Sequence, residues 1–242
     1  MAQGLTKFGD MSVETGFGCV STRIRGEVSQ IAFNNCPDLS IIAITQNKLA
    51  GMDLSGCKTA LTRLYCHDSE LTSLDISGCT ALTITECYSN QINTLNISGS
   101  TALADLDCSY NKLTSIDVGS CTALGNLNCS TNELTELDVN GCTNLTDLDC
   151  GYNKLTSLNT TGCASLSWLT CRNNKLKLLD VTGCASLVRI YSLYNELETI
   201  NVNGCHSLNF LRTMINQLSA AELNRIFTDR SVKINNACLH LL

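Results

Sequence analysis

Three groups of side chains in this 242-residue chain have the types and spacing for chemistry: thiols, paired carboxylates, and a set of aromatic and arginine residues. Sixteen cysteines would suggest a disulfide framework or metal sites if they were scattered. They are not scattered. Cys66, Cys87, Cys108, Cys129, Cys150 and Cys171 lie 21 residues apart, and Cys36, Cys57, Cys79, Cys121, Cys142, Cys163, Cys184 and Cys205 form a second column in which Ser100 once stands in for cysteine. Ser192 and Thr213 replace the first column in the same way, so each place wants a small group that can hydrogen-bond. No C-x-x-C occurs, so the usual zinc spacing is missing and no metal is expected. His206 follows Cys205, but His67, His206 and His240 fall in different segments and nothing supplies the third group that orients a catalytic base. No catalytic residue and no cofactor are assigned.

The carboxylates Asp105, Asp107, Asp147 and Asp149 form two D-x-D pairs. Paired carboxylates serve glycoside hydrolysis or calcium binding when a cleft holds them, and a solvated acidic face when none does. They are a secondary candidate site. The primary candidate is Trp168, Arg172, Arg189, Tyr191, Phe210 and Arg212, because aromatic and arginine side chains are enriched at interface hot spots and the single tryptophan falls where burial has no structural use.

What positions these groups is a repeat. Asparagine recurs at 47, 90, 111, 132, 153, 174, 195 and 216, inside the frame L-x-x-L-x-[CLI]-x-x-N-x-L. A further frame at Leu61, with Ser69 in the asparagine place, completes nine units over residues 39–219, and Lys58 is the one inserted residue. This period and frame mark a right-handed leucine-rich repeat solenoid, a mainly β fold that convention groups with α/β. The alternation of Leu106 and Cys108 with Asp105 and Asp107 predicts a half-buried strand, nine of which stack into a parallel sheet. The second stretch of each unit, such as Leu137–Val139, is too short and too rich in Thr, Val and Asp for a helix, which predicts an extended or 3₁₀ convex side.

A buried asparagine amide donates and accepts at once, so its column should pair backbone groups where the chain leaves the sheet. The convex Asp/Asn column (Asp53, Asp75, Asn96, Asp117, Asp138, Asn159, Asp180, Asn201) reads as a ladder that satisfies turns. Stacked thiols would sit ~4.8 Å apart with parallel Cβ vectors, whereas a disulfide needs Cβ atoms near ~3.8 Å, so free buried thiols are expected.

Solenoid ends need covers. Ser219-Ala220-Ala221-Glu222 is a capping box, and Leu223, Ile226 and Phe227 follow at helical spacing, which predicts a short capping helix over 220–228 and a strand-like tail from Val232 to Leu242. Residues 1–38 form an N-terminal cap or attachment segment: Ile31, Phe33 and Cys36 match half a repeat and residues 1–27 match none.

The units LTSLDVSGCTALTxLDCSxNxL, clearest between Leu113 and Leu155, resemble the short leucine-rich repeats of bacterial surface and secreted proteins, particularly of the Bacteroidetes type, and LSAAELNRIF is similar to a closing segment of that group. The resemblance implies a recognition or adhesion scaffold with a protein or glycan ligand and no particular activity. The start MAQGLTKFGDM carries no signal-peptide pattern, which leaves a surface or secreted form with a removed signal, a virion or tail-fibre subunit assembling through the N-terminal segment, or a cytoplasmic protein. A net charge of -6 without a Lys/Arg cluster argues against nucleic acid, and no apolar run reaches the ~20 residues that membrane insertion requires. The expected function is non-enzymatic recognition on the concave face.

Overall fold

The structure, a computed structural model, describes residues 11–14, 21–24 and 28–228. It is a leucine-rich repeat solenoid with one continuous sheet. The nine units contribute the strands Ile41–Ala43, Arg63–Tyr65, Ile84–Glu86, Asp105–Asp107, Asn126–Asn128, Asp147–Asp149, Trp168–Thr170, Arg189–Tyr191 and Phe210–Arg212, and Ser21–Arg23 adds a tenth. All are parallel and paired in sequence order. Each strand is three residues long, so one side chain points inward and two point outward. The inward column (Ile42, Leu64, Thr85, Leu106, Leu127, Leu148, Leu169, Ile190, Leu211) is buried throughout. Lys58 is absorbed without loss of register, since Ile41 still pairs with Arg63.

The opposite wall is made of short extended pieces, as their composition predicted. Gly51–Asp53 joins a three-stranded sheet, and Ser73–Asp75 with Thr94–Asn96, Glu136–Asp138 with Ser157–Asn159, and Leu178–Asp180 with Thr199–Asn201 form parallel pairs. Six turns on this wall carry a glycine at positive φ just before the second cysteine column, from Gly78 at 69° to Gly141 at 86°. At Gly119-Ser120-Cys121 the glycine comes one residue early, no positive φ is adopted, and the strand expected at 115–117 is missing.

The asparagine ladder works as its chemistry requires. Asn132 Nδ2 donates to the carbonyls of Cys108 (3.0 Å), Cys129 (3.1 Å) and Ser130 (3.3 Å), while its Oδ1 accepts from Leu113 N–H (2.9 Å). Each amide therefore ties its own turn to the turn before. At the N-terminal end the ladder fails, because Ser69 breaks it and Asn47 Oδ1 is buried without a partner.

A feature not read from the sequence accompanies each rung of this ladder. The residue before it (Gln46, Asp68, Ser89, Tyr110, Thr131, Tyr152, Asn173, Tyr194, Ile215) is left-handed, with φ between 53° and 58°. Glycine is absent from this column, so the usual sequence signal for positive φ was lacking.

Both thiol columns are buried, and all fourteen cysteines among the described residues are free. From Cys121 onward the thiols of the second column donate across the turns, with Cys163 Sγ reaching Val139 O at 3.3 Å and Cys205 Sγ reaching Val181 O at 3.2 Å, whereas Cys36 and Cys57 donate within their own turns. Ser100 Oγ makes the same bond to Ile76 O at 2.7 Å, which explains why serine substitutes there. In the first column, Cys150 Sγ to Thr170 O (3.4 Å) and Ser192 Oγ to Arg212 O (3.3 Å) are equivalent in the same sense.

The closing helix runs Ala220–Thr228, with Ser219 Oγ accepting from Glu222 N–H at 3.1 Å. The second half of the capping box is different. Instead of returning to Ser219, the Glu222 carboxylate accepts from Ile200 N–H (3.0 Å) and pairs with Arg225, which donates to Ile200 O. An open backbone edge at Thr199–Asn201 outcompetes the helix's own N-terminus. Ile226 is buried against the core, while the side chain of Phe227 and the strand-like tail lie outside the described residues.

Candidate recognition surface on the ten-stranded sheet

Every strand of the long sheet presents its first and third residues outward, and the in-register pairing turns these into two straight rows. The first row reads Asp105, Asn126, Asp147, Trp168, Arg189, Phe210, and the second reads Asp107, Asn128, Asp149, Thr170, Tyr191, Arg212. Five of the six primary candidates and all four secondary ones lie in these rows. The sixth does not. Arg172 follows its strand and stacks its guanidinium over the Tyr152 ring at 4.9 Å, on the margin of the sheet.

Over the last three strands, aromatic and polar residues alternate like a checkerboard. Trp168 and Tyr191 stack with centroids 5.9 Å apart, and Tyr191 packs on Phe210 at 5.0 Å. Arg189 lies over the Trp168 ring at 5.1 Å and Arg212 over Phe210 at 5.4 Å, so both guanidiniums are held by cation–π contacts. Trp168 Nε1 donates to Thr170 Oγ1 at 3.3 Å, which fixes the indole while leaving it 40% exposed. Neither Arg189 nor Arg212 is in an ion pair among the described residues.

The four aspartates differ among themselves. They line an open trough of about 370 Å³ with Asn126, Asn128 and Thr170, and Trp168 forms its far wall. Asp107 is largely committed to structure: Oδ1 accepts from Ser109 N–H (3.0 Å) and Ser109 Oγ (2.6 Å), and Oδ2 accepts from Asn128 (3.1 Å). Asp149 Oδ1 likewise accepts from Gly151 N–H at 2.9 Å. This is the same local turn that every member of the convex Asp/Asn column makes, for example Asp138 with Asn140 N–H at 2.8 Å. Burial raises the Asp105 and Asp149 carboxyls above their ordinary values, opposed at Asp105 by a hydrogen bond from Asn126 and at Asp149 by the Gly151 bond and the nearby Arg172 charge. None of the four is in an ion pair among the described residues, and no group of three or more His, Cys, Asp or Glu side chains there is placed to hold a metal ion.

The thiols offer no nucleophile on this face. Burial pushes Cys66, Cys171 and Cys205 up to about 12, so Cys205 next to His206 stays protonated at neutral pH. His67 stacks on Tyr88 at 4.4 Å and pairs with Asp68 at 2.9 Å, and His240 lies outside the described residues. No helix among the described residues is long and apolar enough to cross a membrane.

Sequence reasoning missed Tyr152 as the platform for Arg172, and Asn126, Asn128 and Thr170 as trough lining. The signal for the last three was available in the rows. Tyr152 is not in a row; its backbone is left-handed and its ring lies beside Arg172.

No family model matches the chain, and no curated protein matches it in sequence. Among solved structures it is similar to the functional domain of InlJ from Listeria monocytogenes, described as including a cysteine ladder, at 32% identity and a TM-score of 0.72 over 80% of this chain and 43% of that one. YopM from Yersinia enterocolitica matches at 22% identity and a TM-score of 0.67, over 86% of this chain and 47% of that one. The plant peptide hormone receptor RGFR1, in complex with RGF2, matches at 23% and 0.66, over 79% and 36%. The last two speak to the fold alone. The chain spans less than half the length of each of these three proteins.

Proposed function

We propose that this chain is a non-enzymatic recognition module that binds a protein partner on the concave face of its solenoid, centred on Trp168, Arg189, Tyr191, Phe210 and Arg212, with Arg172 at the margin. The observation that carries this reading is the checkerboard. The exposed Trp168 ring, the half-buried Tyr191 and Phe210 rings and two exposed guanidiniums lie together, held by one another and by no acidic partner among the described residues, on a surface whose own stability rests on the residues pointing the other way. Rigid aromatic and arginine side chains lose little entropy on binding, and such residues carry most of the energy of protein interfaces. The short repeat and the thiol ladder of the Listeria domain support a bacterial setting; the Bacteroidetes-type resemblance stands on the repeat residues alone. The high thiol pKa values and the structural use of Asp107 and Asp149 weigh against catalysis on this face.

The test is a pull-down from the source environment with wild type, a Trp168→Ala/Arg189→Ala/Tyr191→Ala/Arg212→Ala variant, and an Asp105→Asn/Asp147→Asn variant, each checked for folding. A partner held by wild type should be lost by the quadruple variant, with a central anchor worth on the order of 2 kcal/mol or more. Retention by the quadruple variant with loss in the aspartate variant would move the site to the acidic trough.

A further inference from the structure

Over the six strands from Asp105–Asp107 to Phe210–Arg212 the unpaired charges of this face are sorted by strand, while the strands before them carry Arg63 and Glu86. The acidic ones, Asp105, Asp107, Asp147 and Asp149, come from two strands flanking Asn126–Asn128, and the basic ones, Arg189 and Arg212, come from the last two strands of the sheet. Trp168 stands on the strand between the two sets. The sets do not neutralise each other, because the Trp168–Thr170 strand separates them and the arginines are drawn onto the rings.

A partner of uniform charge would therefore meet repulsion over one half of the surface. A neutral sugar could hydrogen-bond in the trough and stack on Trp168, but it would leave the two guanidiniums unanswered. A polypeptide can carry both signs at a set distance. From the Asp147–Asp149 strand, the trough edge next to Trp168, to the midpoint of the Arg189 and Arg212 strands is two and a half strand spacings, or ~12 Å at ~4.8 Å each. An extended chain rises ~3.3 Å per residue and returns to the same face every second residue, so positions four apart are ~13 Å apart on one face.

We propose that the partner lays an extended segment across the strands, with a lysine or arginine in the aspartate trough against Trp168 and, four residues away, an aspartate or glutamate between Arg189 and Arg212. This rests on the reading of the sheet face as a protein-binding surface and adds the partner's charge pattern to it. The basic side chain meets Asp147, which accepts no side-chain hydrogen bond among the described residues, together with the indole wall. The acidic one meets two arginines already held in place by Trp168 and Phe210.

The probe is a random phage-displayed peptide library of about twelve residues, selected on the full chain, with affinities of enriched peptides then measured by calorimetry. Enriched sequences should share a basic and an acidic residue four apart. Such a peptide should bind Arg189→Glu/Arg212→Glu at least ~10-fold more weakly, and that variant should regain affinity when the peptide's acid is changed to lysine. Asp147→Lys provides the reciprocal swap. Enriched peptides that lack the pair yet depend on Trp168 would overturn the charge pattern while leaving the recognition surface standing. Binding untouched in the quadruple alanine variant would remove the surface as well. No enriched peptide, or oligosaccharides bound on an array in their place, would assign the face to a different class of ligand and end the proposal.

Discussion

The last six strands of the long sheet fall into two sets of three that have the same backbone and the same interior but opposite surfaces. From Asp105 to Asp149 the outward rows hold only Asp and Asn; from Trp168 to Arg212 they hold rings, arginines and one threonine. Beneath both, the inward leucine or isoleucine is buried and the asparagine makes the same set of bonds: those of Asn132 match those of Asn174, which donates to Cys150 and Cys171 (3.0 Å each) and Arg172 (3.3 Å) and accepts from Leu155 (2.9 Å). A solenoid can thus change its outer face without touching what holds it together.

The strongest challenge to this separation is alkaline pH, which should act on the shared interior and ignore the surfaces. Burial raises the thiols, for example Cys79 and Cys142 to about 11 and Cys57 and Cys163 to about 12, above an unfolded value near 9. The folded state thus binds the proton more tightly than the unfolded one. The contribution of these thiols is complete below about pH 9 and is lost as pH rises toward 11–12. One unit above the unfolded value each such thiol costs about 1.4 kcal/mol, and many act together, so cooperative unfolding between about pH 9.5 and 11 is expected. Circular dichroism and thiol alkylation should report it at the same pH. Alkylation of any of the fourteen column thiols at pH 7, or a fold that survives to pH 12, would show that the columns are not a sealed core. In denaturant at neutral pH, reduced and unreduced protein should both titrate all 16 thiols.

A smaller effect compares the two sets directly. Asn132→Ala and Asn174→Ala each strand a buried N–H and shared carbonyls, and each should cost about 3 kcal/mol in chemical denaturation. Equal losses support one ladder under two surfaces. A loss confined to one of them would mean that the surface above contributes to holding the ladder.

The least effect belongs to the surface itself. Asp149→Asn keeps the oxygen that accepts from Gly151 N–H and removes a carboxyl whose pKa burial has raised. The ionised wild type is disfavoured by folding above its unfolded pKa, so the variant should be slightly more stable at pH 7 and unchanged at pH 3. Arg189→Ala should move stability by about 0.5 kcal/mol or less. A large loss from either variant would break the division between scaffold and surface.

What the sequence determined by itself was most of what repeats, the left-handed residue before each ladder position excepted. The 21-residue frame, the inward leucines, the amide and thiol columns, the Asx turns and the short convex strands all follow from local pattern, because identical units must meet identical neighbours and a side chain's role recurs with its position. What only the tertiary structure decided lies where that symmetry lapses. Arg172 lies outside the rows and stacks on Tyr152, Asp107 spends both oxygens on its neighbours, and residues 115–117 form no strand. Glu222 forsakes its own helix for Ile200. In each case the side chain or backbone had more than one partner within reach, some of them a full turn or more away along the chain, and its choice was set by which donor or ring stood nearest in space.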